Sequence, residues 1–202
     1  MTTPSARHFS MIRGFHLADA FTMANAACGV AAIFQAMWFV AAQDHRRLWL
    51  AAVLVPVALV FDVLDGRIAR WRHRTSPMGR ELDSLADVIS FGVAPAAIGF
   101  AAGLRTTLDQ AILLYFTVCG VSRLARYNIT AEALAEETGK VRHFEGTPIP
   151  TSVLPLGFVM AAFATDTLLP VRVFGLGLHL TTLLFLISGS LMISKTLKIP
   201  KP

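Results

Sequence analysis

Long apolar runs alternate with short polar clusters along this chain. Six apolar segments stand at about 18–41, 48–70, 80–103, 107–128, 149–168 and 173–194. Each approaches the ~20 residues that a helix needs to cross the hydrocarbon of a bilayer. The pattern therefore predicts six transmembrane helices. Residues 1–16 interleave Phe9, Met11, Ile12 and Phe15 with Arg7, His8, Arg13 and His16, as in a short helix lying along the membrane interface. The long polar stretch, 129–147, carries Glu132, Glu136, Glu137, Lys140 and Arg142 and has room for a short helix. The predicted organisation is one membrane domain over 1–202: an interfacial segment at 1–16, then a six-helix bundle at 17–195, without an internal repeat.

Composition agrees. The chain is 54% hydrophobic and 15% charged, where a soluble domain carries about 25% charge. Its mean hydropathy is +0.59. The expected class is an all-α integral membrane protein. Cys28 and Cys119 both lie inside apolar segments, so they read as small hydrophobes rather than a disulfide or a metal motif. The net charge of +5 does not argue for nucleic acid, because basic residues at the cytoplasmic ends of spans give the same excess. The N-terminus lacks the basic, apolar and cleavage regions of a removable signal peptide.

The basic residues also set the orientation. Of 18 Lys and Arg, four (Arg46, Arg47, Arg105 and Arg172) fall on one side of the predicted bundle and the remainder on the other. The rule that positive loops stay inside puts both termini, the 71–79 loop and the 129–147 loop in the cytoplasm. A cell (inner) membrane location follows as the expectation.

The polar residues within this apolar background carry the chemistry. They form the pattern Asp62-x2-Asp65-Gly66-x2-Ala69-Arg70-x8-Gly79-x3-Asp83-x3-Asp87. Asp62, Asp65, Gly66, Ala69 and Arg70 share one helical face, and Gly79, Asp83 and Asp87 share another. If the two faces pack together, four carboxylates converge at the cytoplasmic interface. Acids at membrane depth mark function by default. Close carboxylates repel by about 4 kcal/mol per pair at an intermediate dielectric, so the set is stable only if some of the acids are protonated or cations are bound. An oxygen-only ligand set suits Mg²⁺ or Mn²⁺, and nothing supplies the His and Cys that zinc favours. Two such ions would clamp the oxygens of a phosphoryl transfer. Gly66, Ala69 and Gly79 leave a slot on the same faces. Arg70 puts a permanent cation beside it, suited to a phosphate.

This spacing resembles the signature of the CDP-alcohol phosphotransferases at all eight positions. Within that family the chain is most similar to the CDP-diacylglycerol–serine O-phosphatidyltransferases. Three stretches carry the finer likeness: Glu81-Leu-Asp-Ser-Leu-Ala-Asp-Val-Ile-Ser-Phe-Gly-Val-Ala-Pro95, Arg123-Leu-Ala-Arg-Tyr-Asn128 and Phe144-Glu-Gly-Thr-Pro-Ile-Pro150. Val88 stands where phosphatidylglycerophosphate synthases usually have Lys, and Thr147 stands where the subfamily would have Leu.

The resemblance implies transfer of a phosphatidyl group from CDP-diacylglycerol to L-serine, with CMP leaving. It implies that Asp62, Asp65 and Asp83 ligate metal, and that Asp87 is the general base and also touches a metal. It implies that Gly66, Ala69, Arg70 and Gly79 hold the CDP part, and that the protein is a homodimer among membrane lipids. Arg123, Arg126 and Asn128, near the cytoplasmic end of the fourth span, are the candidate acceptor-binding residues. Glycerol phosphate as acceptor and an archaeal-type lipid donor remain alternatives of the same chemistry. A cation transporter is the alternative from another class. It is disfavoured because the acids lie at one level, beside a slot, and not along a path in repeated halves.

Overall fold

The computed structural model describes residues 17–71, 77–137, 143–173, 175–194 and 198–200. The expected interfacial helix at 1–16 lies outside the described residues. So do the side chains of Ala69 and Arg70.

Helix α1 (Leu17–Ala42) packs along α2 (His45–Trp71). The third apolar segment is a helix in three parts: α3 (Pro77–Asp87), a π-helical turn (Val88–Val93) and α4 (Ala94–Ala102). Pro95 supplies a reason for the π turn. It has no N–H to donate, and its ring would collide with the carbonyl four residues back in a regular α-helix. Widening the preceding turn relieves both problems. Asp87 thus sits at the junction of the α and π geometries.

Helix α5 (Thr107–Glu137) outruns its apolar segment. The added turns are Ala131-Glu-Ala-Leu-Ala-Glu-Glu137, a run of strong helix formers with no Gly or Pro. The first half of the predicted polar loop is therefore helical. Its remainder includes β1 (His143–Glu145), which pairs antiparallel with β4 (Lys198–Pro200). This pairing brings the C-terminal segment to the face that holds the 129–147 stretch. A 3-10 turn (Ile149–Ser152) leads into α6 (Val153–Ala164).

The sixth apolar segment is divided. Its start joins an antiparallel hairpin, β2 (Pro170–Val173) with β3 (Leu176–His179), and its end is α7 (Thr182–Ile193). Gly175 has φ 80°, a conformation that suits glycine at the turn. Among the described residues, four helices are long and apolar enough to cross a membrane: Ala18–Ala42, His45–Ile68, Met78–Ala102 and Thr107–Ile129. The 12 residues of α7 span only ~18 Å, short of the ~30 Å hydrocarbon thickness. The architecture is that of an all-α, multi-pass membrane protein.

Phe91, Phe116, Phe185, Ile98, Ile149 and Val159 are fully buried at the centre of the bundle. Phe116 and Phe185 meet edge to face, ring centroids 5.0 Å apart, joining α5 to α7. Phe34, Trp38, Leu114, Val118 and Phe158 stay exposed, as expected of a surface that meets acyl chains. At the end where α5 begins, Asp109 is fully buried and collects its partners locally. Its Oδ1 accepts from the His179 N–H (3.0 Å) and the Thr182 hydroxyl (2.7 Å). Its Oδ2 accepts from the Thr106 N–H and hydroxyl and lies 2.6 Å from His179 Nδ1. Thr106 and Asp109 form a capping box, since the Thr106 hydroxyl accepts from the Asp109 N–H in return. One carboxylate so fastens α5, the hairpin and α7 together.

Candidate active site

The other end of the bundle gathers the motif. Asp62 is on the last turns of α2, three turns short of its end. Asp83 and Asp87 are on consecutive turns of α3, just past the polar connection. Ligand oxygens of Asp62, Asp83 and Asp87 lie within 4.8 Å of one another, so the two helices converge by the faces that the spacing predicted. Asp87 is 7% exposed, and Asp83 Oδ1 is buried without a hydrogen-bond partner among the described residues. Carboxylates this close and this short of donors are relieved either by taking up protons or by positive charge from outside the set. The donors are all carboxylate oxygen, a set that suits a hard divalent cation.

Asp65 is brought near but held differently. It is buried, and its Oδ2 accepts the Thr22 hydroxyl of α1 at 2.8 Å. It does not join the group of three. Gly66, next to it, is half-buried, and a Cβ built there meets no described atom within 4 Å. Packing therefore does not explain this glycine. Gly29 is the contrast: a Cβ there would come within 2.5 Å of Ser90 Oγ, so that glycine serves the crossing of α1 and the π turn. Gly79 lies one turn ahead of Asp83 on α3. The positions of the Ala69 and Arg70 side chains lie outside the described residues.

The three acceptor candidates separate. Arg123 is buried at 8% exposure, its guanidinium 5.6 Å from the Tyr127 ring centroid. Its Nε has no hydrogen-bond partner among the described residues. Arg126 turns instead toward the end of α7, where Nη1 donates to the Ile193 carbonyl at 3.5 Å. Asn128 is engaged by α3: its amide donates to the Ser84 hydroxyl (3.0 Å) and to the Glu81 carboxylate (3.3 Å).

Sequence reasoning missed the contribution of α1. Asp19, Thr22 and Asn25 are all buried, and Asn25 Nδ2 donates to Asp87 Oδ1 at 3.3 Å. The signal was present: these residues recur at i, i+3 and i+6 in an otherwise apolar helix, which aligns them along one face.

A family model for CDP-alcohol phosphatidyltransferases matches residues 15–192. The chain belongs to that family. Members named CDP-diacylglycerol–serine O-phosphatidyltransferase are among its similar relatives. The one from Saccharomyces cerevisiae is 44% identical over 99% of this chain and 76% of its own length. The one from Bacillus subtilis is 34% identical over 64% of this chain and 66% of its own. The one from Helicobacter pylori strain ATCC 700392 is 38% identical over 66% of this chain and 52% of its own. Membership makes the acid cluster part of a transferase and leaves a transport reading without support. Divalent-metal dependence is general in this family, in keeping with the oxygen donors that converge here.

Proposed function

We propose that the protein transfers the phosphatidyl group of CDP-diacylglycerol to the hydroxyl of L-serine, giving phosphatidylserine and CMP. The observation that carries the reaction type is the convergence of Asp62, Asp83 and Asp87 from two helices. The shared name of the relatives supports the donor and the acceptor.

Asp62, Asp65, Asp83 and Asp87 hold two Mg²⁺ or Mn²⁺ ions in this reading. When bound, the ions neutralise the charge that develops on the diphosphate. Gly66, Ala69, Arg70 and Gly79 hold the CDP part, with the open space at Gly66 facing nucleotide rather than protein. Asp87 accepts the proton from the serine hydroxyl as that oxygen attacks the phosphorus bearing diacylglycerol. The bond to the CMP oxygen breaks in line. Arg123 is the stronger candidate for the serine carboxylate, because it is buried with donor capacity in reserve. Arg126 and Asn128 border the same region. Asn128 acts through Ser84 and Glu81, which it holds. The distribution of Lys and Arg supports a site on the cytoplasmic face of the cell membrane, and the family resemblance supports a homodimer.

The test is purified protein in detergent with CDP-diacylglycerol, Mg²⁺ or Mn²⁺, and a panel of alcohols that includes L-serine and glycerol 3-phosphate. CMP release and the lipid product are followed. Release with L-serine alone is expected. Release with glycerol 3-phosphate alone moves the acceptor, and release with no alcohol in the panel sinks the proposal.

A further inference from the structure

We infer that Thr22 and Asn25, on a helix that carries none of the motif, are positioning residues. Each holds one carboxylate of the acid cluster so that its remaining lone pairs face a divalent cation. This inference rests on the metal-assisted reading above and deepens it.

Thr22 Oγ1 donates to Asp65 Oδ2 at 2.8 Å, and Asn25 Nδ2 donates to Asp87 Oδ1 at 3.3 Å. Both donors are buried: Thr22 is 3% exposed and Asn25 0%. Each therefore binds one oxygen of an acid on a different helix, Thr22 on α2 and Asn25 on α3. The amide orientation at Asn25 is set by chemistry, because the reverse would oppose two acceptors. A fully buried Asn whose own Oδ1 has no partner among the described residues is a poor packing choice. Its side chain is also not needed for the helix crossing. That crossing is held by the Ser90 hydroxyl donating to the Asn25 backbone carbonyl (2.8 Å), and by the missing side chain of Gly29. What the Asn25 side chain does that Leu cannot is donate to Asp87. Outer partners of this kind fix the orientation of metal-binding side chains and are felt in metal affinity.

The experiment uses the purified full chain and the variants Thr22→Val, Thr22→Ser and Asn25→Leu. Mn²⁺ binding is read from the spin-resonance signal of the free ion. Thermal unfolding is measured in excess chelator, and kcat and KM are measured with CDP-diacylglycerol. Asn25→Leu and Thr22→Val are expected to weaken Mn²⁺ binding about tenfold and to lower kcat on the order of 10–100-fold. The unfolding midpoint in chelator should fall by no more than a few degrees, as for the loss of one buried hydrogen bond, and the KM for CDP-diacylglycerol should stay within about twofold. Thr22→Ser keeps the hydroxyl and should restore Mn²⁺ binding. If the variants bind Mn²⁺ as the unaltered protein does, or only their unfolding midpoint falls, the two residues are structural and the inference is overturned. If the unaltered protein binds no Mn²⁺, the metal reading fails and takes this inference with it.

Discussion

Replacing Asp83 by Asn should make the protein more stable and inactive at once. The structure gives the magnitude. Three carboxylates have ligand oxygens within 4.8 Å of one another. At an effective dielectric of about 20, each ionised pair at that distance costs about 3.5 kcal/mol. Asp83 takes part in two such pairs, which comes to about 7 kcal/mol if all three acids were ionised in the absence of cations. The side chains relax and the site is partly wet, so a recovery of about 1–3 kcal/mol is expected. For a chain of this size that raises the unfolding midpoint by several degrees. The assay is thermal unfolding in detergent, with excess chelator and then with Mg²⁺ or Mn²⁺. In chelator, Asp83→Asn should unfold at the higher temperature. On adding metal, the unaltered protein should gain stability by mass action and the variant should gain much less. CMP release should be absent from the variant under both conditions. An Asp83→Asn protein that is less stable in chelator, or that gains as much from metal, would refute the reasoning, since the acids would then be satisfied from within the protein.

Three further outcomes follow from the same geometry. Gly66→Val should leave the unfolding free energy within about 1 kcal/mol of the original, because a Cβ there meets no described atom within 4 Å. It should nevertheless raise the KM for CDP-diacylglycerol. Unaltered donor kinetics would place the nucleotide elsewhere. Arg123→Ala should raise the KM for L-serine about tenfold or more, as loss of a charge-assisted bond does, while Arg126→Ala should do less; equal effects on the lipid donor would make Arg123 a phosphate anchor. Asp109→Ala should cost about 3–5 kcal/mol of stability by orphaning the donors around it, with the kcat of the folded fraction kept. Loss of kcat at unchanged stability would mean that this end of the bundle takes part in the chemistry.

The convergence of three acids at the candidate site was legible because helical spacing converts directly into a shared face. Asp62 on α2 and Asp83 and Asp87 on α3 had to converge once two apolar helices with those faces packed. The π turn was harder to see. Pro95 announces a disturbance, but a kink, a break and a wide turn all answer it, and tertiary packing against Gly29 and Ile149 selects among them. The hairpin in the sixth apolar segment was hidden for a related reason. Leu169 to Leu180 is as apolar as a span, and hydropathy counts apolar residues without regard to period. Only Pro170 and Gly175 hinted that the backbone turns there. The α1 donors were overlooked because Thr and Asn are common minor residues of membrane helices. Their partners become visible only when α1 is laid against α2 and α3.

The bundle holds buried aspartates at both ends, and comparing them shows what separates a structural acid from a functional one. At Asp109 every nearby donor belongs to the protein: two backbone N–H groups, two hydroxyls and a ring nitrogen converge on its two oxygens. Nothing is left over for a ligand, and the carboxylate works as a rivet. At the opposite end the ratio reverses. Asp83 has a buried oxygen with no donor among the described residues, and Asp87 receives one amide from α1. The same chain that satisfies one acid so fully has gathered acids from two helices and supplied few donors to them. A fold gains no stability from that arrangement. On the function proposed above, it gains a place for positive charge from solution and, with it, for the diphosphate of a nucleotide.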